Sequence, residues 1–174
     1  MFTLITGGAR SGKSSAAERL AGRSDRAVHY VATAEAGDDE MTARIERHRA
    51  DRPPDWVVHE EPVAVADELA AIAPDATIVV DCLGLWVTNL LDRTDAEILA
   101  AAADVARTLR ERSGAAIVVT NEVGSGVVPE YPIARRFRDL LGLVNQAFAA
   151  EADAAYVAVS GRLLALAAPE DLDV

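Results

Sequence analysis

The chain's clearest chemistry lies in Gly7-Gly8-Ala9-Arg10-Ser11-Gly12-Lys13-Ser14, which match the pattern G-x-x-x-x-G-K-[ST]. An apolar, β-branched run precedes them and Ser15-Ala16-Ala17-Glu18-Arg19-Leu20 reads as a helix after them. That order separates a phosphate loop from a glycine turn that matches by accident. The glycines let successive backbone N–H groups converge on phosphate oxygens, and the helix N-terminus adds partial positive charge. Lys13 has the reach for β- and γ-phosphates, and the Ser14 hydroxyl can ligate Mg²⁺. Sixteen arginines accompany this single lysine. A slender ammonium among phosphates is poorly replaced by a planar guanidinium. The residues therefore predict binding of a purine nucleoside triphosphate with Mg²⁺.

Three further places could act on such a ligand. Asp81 closes the apolar run Thr77-Ile78-Val79-Val80-Asp81, where a carboxylate that holds Mg²⁺ or its water belongs; an ordinary strand-end aspartate is the alternative. Cys82 beside it reads as a small buried residue rather than a nucleophile. The segment 38–52 reads as a helix opened by acidic residues and stopped by Pro53-Pro54. Arg44, Arg47, Arg49 and Arg52 make it a basic island. His48 shares the apolar stripe of Met41 and Ile45, so a packing role is open. A histidine among arginines could also accept a phosphoryl or nucleotidyl group on a ring nitrogen, with the guanidinium groups stabilising the developing charge. Glu60, in Glu60-Glu61-Pro62, could accept from the guanine N1–H and amine, or belong to a solvated acidic turn. His29 and His59 lie in strand-like runs and read as structural.

Positioning these residues requires a sheet. Phe2–Thr6, Val28–Thr33, Thr77–Asp81, Ala116–Thr120 and Tyr156–Ser160 read as buried strands, with Val57–Glu60 a weaker edge candidate. Helical stripes run through Val65, Leu69 and Ile72; through Ile98, Ala102, Val105 and Leu109; and through Ile133, Phe137, Leu140, Leu141, Val144 and Phe148. The alternation predicts a single α/β domain over residues 1–174, P-loop NTPase-like and doubly wound, with a mainly parallel sheet and helices on both faces. Ligands in such folds sit beyond the carboxyl ends of the strands. Gly7–Ser14, Thr33–Ala34, Glu60, Asp81, Asn121–Glu122 and Ser160–Gly161 fall there.

Composition narrows the classes. The net charge of −11 disfavours a general nucleic-acid or anionic-membrane binder. One cysteine allows no internal disulfide and suits a reducing compartment. No run approaches the roughly 20 apolar residues of a membrane span, and the N-terminus reads directly into a strand. A cytoplasmic protein without stable membrane insertion is expected.

Taken together these residues resemble the bifunctional adenosylcobinamide kinase / adenosylcobinamide-phosphate guanylyltransferase family of cobalamin biosynthesis. The likeness spans essentially the whole chain. It rests on Ile5–Ser14, Tyr30–Ala34, Asp39-Glu40-Met41 leading to His48-Arg49, Arg52-Pro53, Glu60-Glu61-Pro62 and Asp81-Cys82-Leu83. Later come Val87–Leu91, Thr120-Asn121-Glu122-Val123-Gly124, Phe137-Arg138-Asp139 and Val159-Ser160-Gly161. The residues after Gly161 match nothing in particular. The resemblance implies phosphorylation of adenosylcobinamide with ATP or GTP, then GMP transfer from GTP through a histidine–GMP intermediate, giving adenosylcobinamide-GDP. His48 is the position of the GMP-carrying histidine, and Lys13 the catalytic lysine. The implied nucleotide site is Gly7, Gly8, Ala9, Arg10, Ser11, Gly12, Lys13 and Ser14, with Ala32, Thr33, Ala34, Arg49, Ala50, Asp51, Arg52, Glu60 and Asp81. Ser14 and Asp81 would hold Mg²⁺, with no tightly bound organic cofactor. The partners implied are ATP or GTP and the corrinoid, in a homotrimer, without nucleic acid. Two rivals stand beside this reading: a monofunctional P-loop small-molecule kinase, and a nucleotide-switch module. The second lacks an evident Asn-Lys-x-Asp guanine motif.

Overall fold

Continuous β-branched runs become the interior of a seven-stranded sheet in the computed structural model, ordered β3-β2-β4-β5-β1-β6-β7. The structure describes residues 1–37, 39, 42, 43, 46, 49 and 52–172. The strands are β1 (Phe2–Gly7), β2 (Val28–Ala32), β3 (Val57–Glu60), β4 (Thr77–Asp81), β5 (Ala116–Val119), β6 (Ala154–Val159) and β7 (Arg162–Leu166). Every neighbouring pair is parallel except β6–β7. The central strands β1, β4 and β5 are buried at nearly every position, because helices cover both faces. The edge strands β3 and β7 are mostly exposed.

One face is covered by α1 (Lys13–Ala21), whose Ala16, Ala17 and Ala21 pack on Ile5, Val79, Ile117 and Val119. Alanines allow this helix to lie close to the sheet. The other face carries α2 (Val65–Ala71), α3 (Leu83–Asn89), α4 (Asp95–Glu111) and α5 (Pro132–Glu151), with Leu69, Trp86, Ile98, Leu109, Leu141 and Phe148 packed against Leu4, Val80 and Val118. A capping box fixes the start of α4: Thr94 accepts from the Glu97 backbone while the Glu97 side chain returns to Thr94. Proline in the first turn fixes the start of α5.

From β1 the chain passes through α1 to one half of the sheet, reaching β2. From β5 it passes through α5, on the opposite face, to β6 beside β1. The carboxyl end of β1 is thus the place where the winding changes direction, and the phosphate loop begins there.

Two expectations shift. Ile133, in the first turn of α5, is half-exposed, and the buried stripe of that helix is Leu140, Leu141, Val144 and Phe148. Ile72 is buried but follows the last residue of α2, with extended backbone. Among the elements unread in the sequence are α3 and β7. In α3, Leu83, Trp86, Val87 and Leu90 do keep helical spacing, but Gly84 and a length of seven residues hide the period. Strand β7 reads Arg-Leu-Leu-Ala-Leu, residues that favour helix over strand. The signal for it was the Ser160-Gly161 turn between two apolar runs.

Candidate nucleotide site

The loop 7–14 is shaped by positions where a side chain cannot fit. A Cβ on Gly7 would stand 2.7 Å from both the Ala158 carbonyl oxygen and Ser11 Oγ. A Cβ on Gly12 would stand 3.0 Å from the Gly161 Cα, at a φ of +91° that disfavours any L side chain. The β6–β7 turn supports the loop from behind. Ser160 and Gly161 both have positive φ, as a two-residue hairpin turn requires, and the Gly161 N–H donates to the Ser11 carbonyl at 2.8 Å. Arg10 is held at φ +56°, a conformation that costs a non-glycine residue about 1–2 kcal/mol.

Lys13, the first residue of α1, is 7% exposed, and its Nζ donates to the Gly8 carbonyl at 3.1 Å. Ser11 Oγ is buried with no hydrogen-bond partner among the described residues. A buried hydroxyl normally finds a partner. This one sits inside a loop whose backbone N–H groups and lysine suit phosphate oxygens, so the cradle fits a polyphosphate.

Two strands away, Asp81 ends β4 with its side chain half-buried on the α1 face. Its Oδ2 accepts from the Tyr30 hydroxyl at 2.7 Å. Tyr30 is 1% exposed on β2, and burial, reinforced by the neighbouring Asp81 charge, pushes its pKa far above the ordinary value. It is therefore a neutral donor at any physiological pH. The Arg52 guanidinium carbon lies 3.7 Å from the Tyr30 ring centroid, and Trp56 stacks on the same ring at 6.3 Å. Asp81 with Ser14 suits Mg²⁺, a hard cation bound by one or two protein oxygens plus substrate phosphates. No group of three His, Cys, Asp or Glu side chains able to hold a metal occurs among the described residues.

The ends of β2 and β4 are tied together by Thr33. Its Oγ1 donates to the Cys82 carbonyl at 2.7 Å and accepts from the Cys82 N–H at 2.8 Å. Its own carbonyl accepts from Asn89 Nδ2 at 2.8 Å. Thr33 is fully buried, whereas Ala34 is half-buried at the mouth of the site. Cys82 is a buried thiol pushed up to about 11 by burial and by Asp81. That agrees with the inert reading given by the sequence.

Between the phosphate loop and β4 lies the end of β5. Asn145 on α5 accepts from Thr120 Oγ1 at 2.6 Å and donates to the Asn121 carbonyl at 3.0 Å. The Glu122 N–H donates to the Gly7 carbonyl at 3.1 Å. A Cβ on Gly84 would stand 2.9 Å from Asn121 Oδ1, so glycine makes room for that side chain. Asn121 and Glu122 were legible as strand-end polar residues. The supporting roles of Tyr30, Asn89 and Asn145 were not, because each acts across a long stretch of chain.

In the basic segment, Asp39, Thr42, Ala43, Glu46 and Arg49 are helical and exposed. His48, Ala50 and Asp51 lie outside the described residues, as do Met41, Arg44, Ile45 and Arg47. The Arg49 guanidinium forms an ion pair with Glu60, both half-exposed. The two residues sought as guanine and phosphate contacts thus meet, while Ala32 ends the adjacent strand β2 with its carbonyl accepting from the Glu61 N–H at 3.0 Å. His29 and His59 stack, with Nδ1 of the first 2.8 Å from Nε2 of the second, and His59 also pairs with Glu68. Their partners are one another and Glu68, as a structural role implies.

The family model for cobinamide kinase / cobinamide phosphate guanyltransferase matches residues 3–166. The bifunctional adenosylcobalamin biosynthesis protein CobP of Pseudomonas aeruginosa is 47% identical, covering 92% of this chain and 94% of its own. The bifunctional adenosylcobalamin biosynthesis protein CobU of Escherichia coli is 44% identical, covering 92% and 97%. Among solved structures, a Pyrococcus horikoshii protein superimposes with a TM-score of 0.58 at 8% identity, covering 98% of this chain and 87% of that one. The RadB recombinase gives 0.51 at 16% identity, covering 90% and 73%. These two likenesses concern the fold alone.

Proposed function

We propose, from the premise that the chain belongs to the cobinamide kinase / cobinamide phosphate guanyltransferase family, that one nucleotide site serves two successive transfers. In the first, the γ-phosphoryl of ATP or GTP passes to the aminopropanol hydroxyl of adenosylcobinamide. Lys13 and the backbone N–H groups of Gly7–Ser14 bind and orient the polyphosphate, so that positioning and charge neutralisation carry the rate. Ser14 and Asp81 would hold Mg²⁺, which when bound neutralises phosphate oxygens.

In the second, a neutral His48 ring nitrogen attacks the α-phosphorus of GTP. A nitrogen–phosphorus bond forms, the α–β bridging bond breaks, and pyrophosphate leaves with the electron pair. A phosphate oxygen of adenosylcobinamide phosphate then attacks the same phosphorus, displacing His48 and giving adenosylcobinamide-GDP. Arg49 and Arg52 stabilise charge on the transferring group, and Glu60 reads the guanine edge once released from Arg49. Ala32, Thr33, Ala34, Ala50 and Asp51 complete the pocket wall.

The observation that carries this reading is the nearly buried Lys13 in a glycine-shaped cradle, beside a buried Ser11 hydroxyl without a hydrogen-bond partner among the described residues. The strongly acidic chain supports small-molecule partners rather than nucleic acid, in the cytoplasm. No helix among the described residues is long and apolar enough to cross a membrane. The exposed Leu163, Leu164 and Leu166 of the edge strand β7 support assembly into a homo-oligomer, a trimer by family resemblance.

Incubation with Mg²⁺ and α-labelled GTP is expected to give an acid-labile, base-stable label of at most one per subunit, on the peptide holding His48. His48→Asn is expected to lose the label and the guanylyl step while retaining kinase activity. Label on γ-phosphate product alone would leave a monofunctional kinase, and neither label a nucleotide switch.

A further inference from the structure

Tyr30 is a residue to which the phosphate loop motif gives no role, yet it touches two separate parts of the site. Its hydroxyl donates to Asp81 Oδ2 at 2.7 Å. Its ring carries the Arg52 guanidinium at 3.7 Å, with Arg52 Nε buried and without a hydrogen-bond partner among the described residues. Trp56 stacks on the same ring. The parallel register that sets Ala32 opposite Asp81 also sets Tyr30 opposite Val79, two residues earlier on the same face of β4. A tyrosine there is long enough to run along the sheet and reach the strand-end carboxylate from below.

A carboxylate on a strand end can rotate about two side-chain bonds, and only some rotamers suit a cation beside the phosphate loop. A hydroxyl bonded to one oxygen selects a rotamer and leaves the other oxygen to the cation. A neutral donor also spreads the carboxylate charge without cancelling it. The guanidinium on the ring gains from the desolvated aromatic face what its orphaned Nε lacks.

The geometry points to Tyr30 as a positioning residue with two separable duties: its hydroxyl orients Asp81 for the divalent cation, and its ring holds Arg52 for the nucleotide. This rests on the reading of Gly7–Ser14 and Asp81 as a Mg²⁺–nucleotide site. It extends that reading to a residue outside the motif.

The test uses the full-length protein with Mn²⁺ as a spectroscopic probe for the cation. Binding of Mn²⁺ to the protein–GTP complex is followed by electron paramagnetic resonance, and binding of GTP alone is followed by calorimetry in chelator. Tyr30→Phe keeps the ring and removes the hydroxyl. It is expected to weaken Mn²⁺ binding about tenfold, the loss of one charge-assisted hydrogen bond, and to leave metal-free GTP affinity within twofold. In kinase assays the Mg²⁺ requirement is expected to rise by a similar factor while kcat at saturating Mg²⁺ changes little. Tyr30→Leu is expected to weaken both Mn²⁺ and metal-free GTP binding. In an Asp81→Asn background, Tyr30→Phe is expected to produce no further loss of Mn²⁺ affinity. A merely structural tyrosine would lower thermal stability without this split. Equal Mn²⁺ affinity in wild type and Tyr30→Phe overturns the inference. A wild type that binds neither GTP nor Mn²⁺–GTP overturns instead the reading of the site on which it rests.

Discussion

Asn145 offers the sharpest test of how the site is held. Its amide satisfies two groups on the segment that separates the phosphate loop from β4: the buried Thr120 hydroxyl at 2.6 Å and the Asn121 carbonyl at 3.0 Å. Asn145→Ala removes both bonds, each worth about 1 kcal/mol net, and leaves a buried hydroxyl without its acceptor at about 1–3 kcal/mol. The expected loss is about 3–5 kcal/mol, a large share of the roughly 5–15 kcal/mol of a typical domain. Asn145→Asp keeps an acceptor for Thr120 but sets a carboxylate oxygen against the Asn121 carbonyl, so it is expected to be no milder. Removing both ends of the Thr120 bond, in Thr120→Val with Asn145→Leu, is expected to recover part of the loss, because no buried hydroxyl is then left without its acceptor; the Asn121 carbonyl still loses its donor. Urea denaturation followed by circular dichroism measures this, with an unchanged slope m showing that the folded state keeps its compactness. Nucleotide affinity of the folded protein should fall as well, since the Glu122 N–H links the segment to the Gly7 carbonyl. A loss under about 0.5 kcal/mol for Asn145→Ala would refute the assigned weight of these bonds. A loss of stability with wild-type nucleotide affinity would refute the link to the phosphate loop.

Two other predictions follow from backbone and charge. Arg10→Gly relieves the positive φ at that position and is expected to raise apo-protein stability by about 1 kcal/mol, while weakening triphosphate binding through the lost guanidinium; a lower melting temperature would overturn it. His29 has its pKa lowered from 6.5 by burial, with the His59 and Arg112 charges adding to it. The unfolded chain then takes up this proton at higher pH than the folded one, so the neutral ring's contribution is full above 6.5 and is lost as pH falls from there through the folded value. His29→Gln is expected to flatten the stability profile in that window, and an unchanged slope in urea titrations would count against the assignment.

What could be read from spacing alone follows a physical line. Buried parallel strands lose their alternation and become unbroken Val and Ile runs, so Thr77–Asp81 was bounded correctly at both ends. Their polar endings mark where the helices stop covering them, which is why Asp81, Thr33 and Asn121 stood out. Strand β7 escaped because its register is set by the turn at Ser160-Gly161 rather than by any pattern of its own. Tyr30 escaped for a different reason. Its hydroxyl serves a carboxylate 51 residues away, and in the sequence a tyrosine inside an apolar run is indistinguishable from core.

The contrast between one lysine and sixteen arginines also finds a structural reason. Several arginines act as forks that gather carbonyls at the ends of elements. Arg112 donates to the Leu69 carbonyl in the last turn of α2 and to the Ile72 and Ala73 carbonyls after it. Arg136 donates to the Leu91 and Arg93 carbonyls and to Asp95 at the entry to α4. Arg135 donates to the Pro129 and Glu130 carbonyls before α5. A planar group with fixed donors holds such divergent acceptors at once, which an ammonium on a flexible stem does poorly. Lys13 faces the opposite requirement. It is nearly buried and bonded to the Gly8 carbonyl, inside a loop where Gly7 and Gly12 have no room for even a methyl group. A fork would not fit that cradle, and a narrow charge that can turn from a carbonyl to a phosphate oxygen does. The single lysine thus marks the one place among these where charge must be delivered through a tight opening rather than spread across a surface.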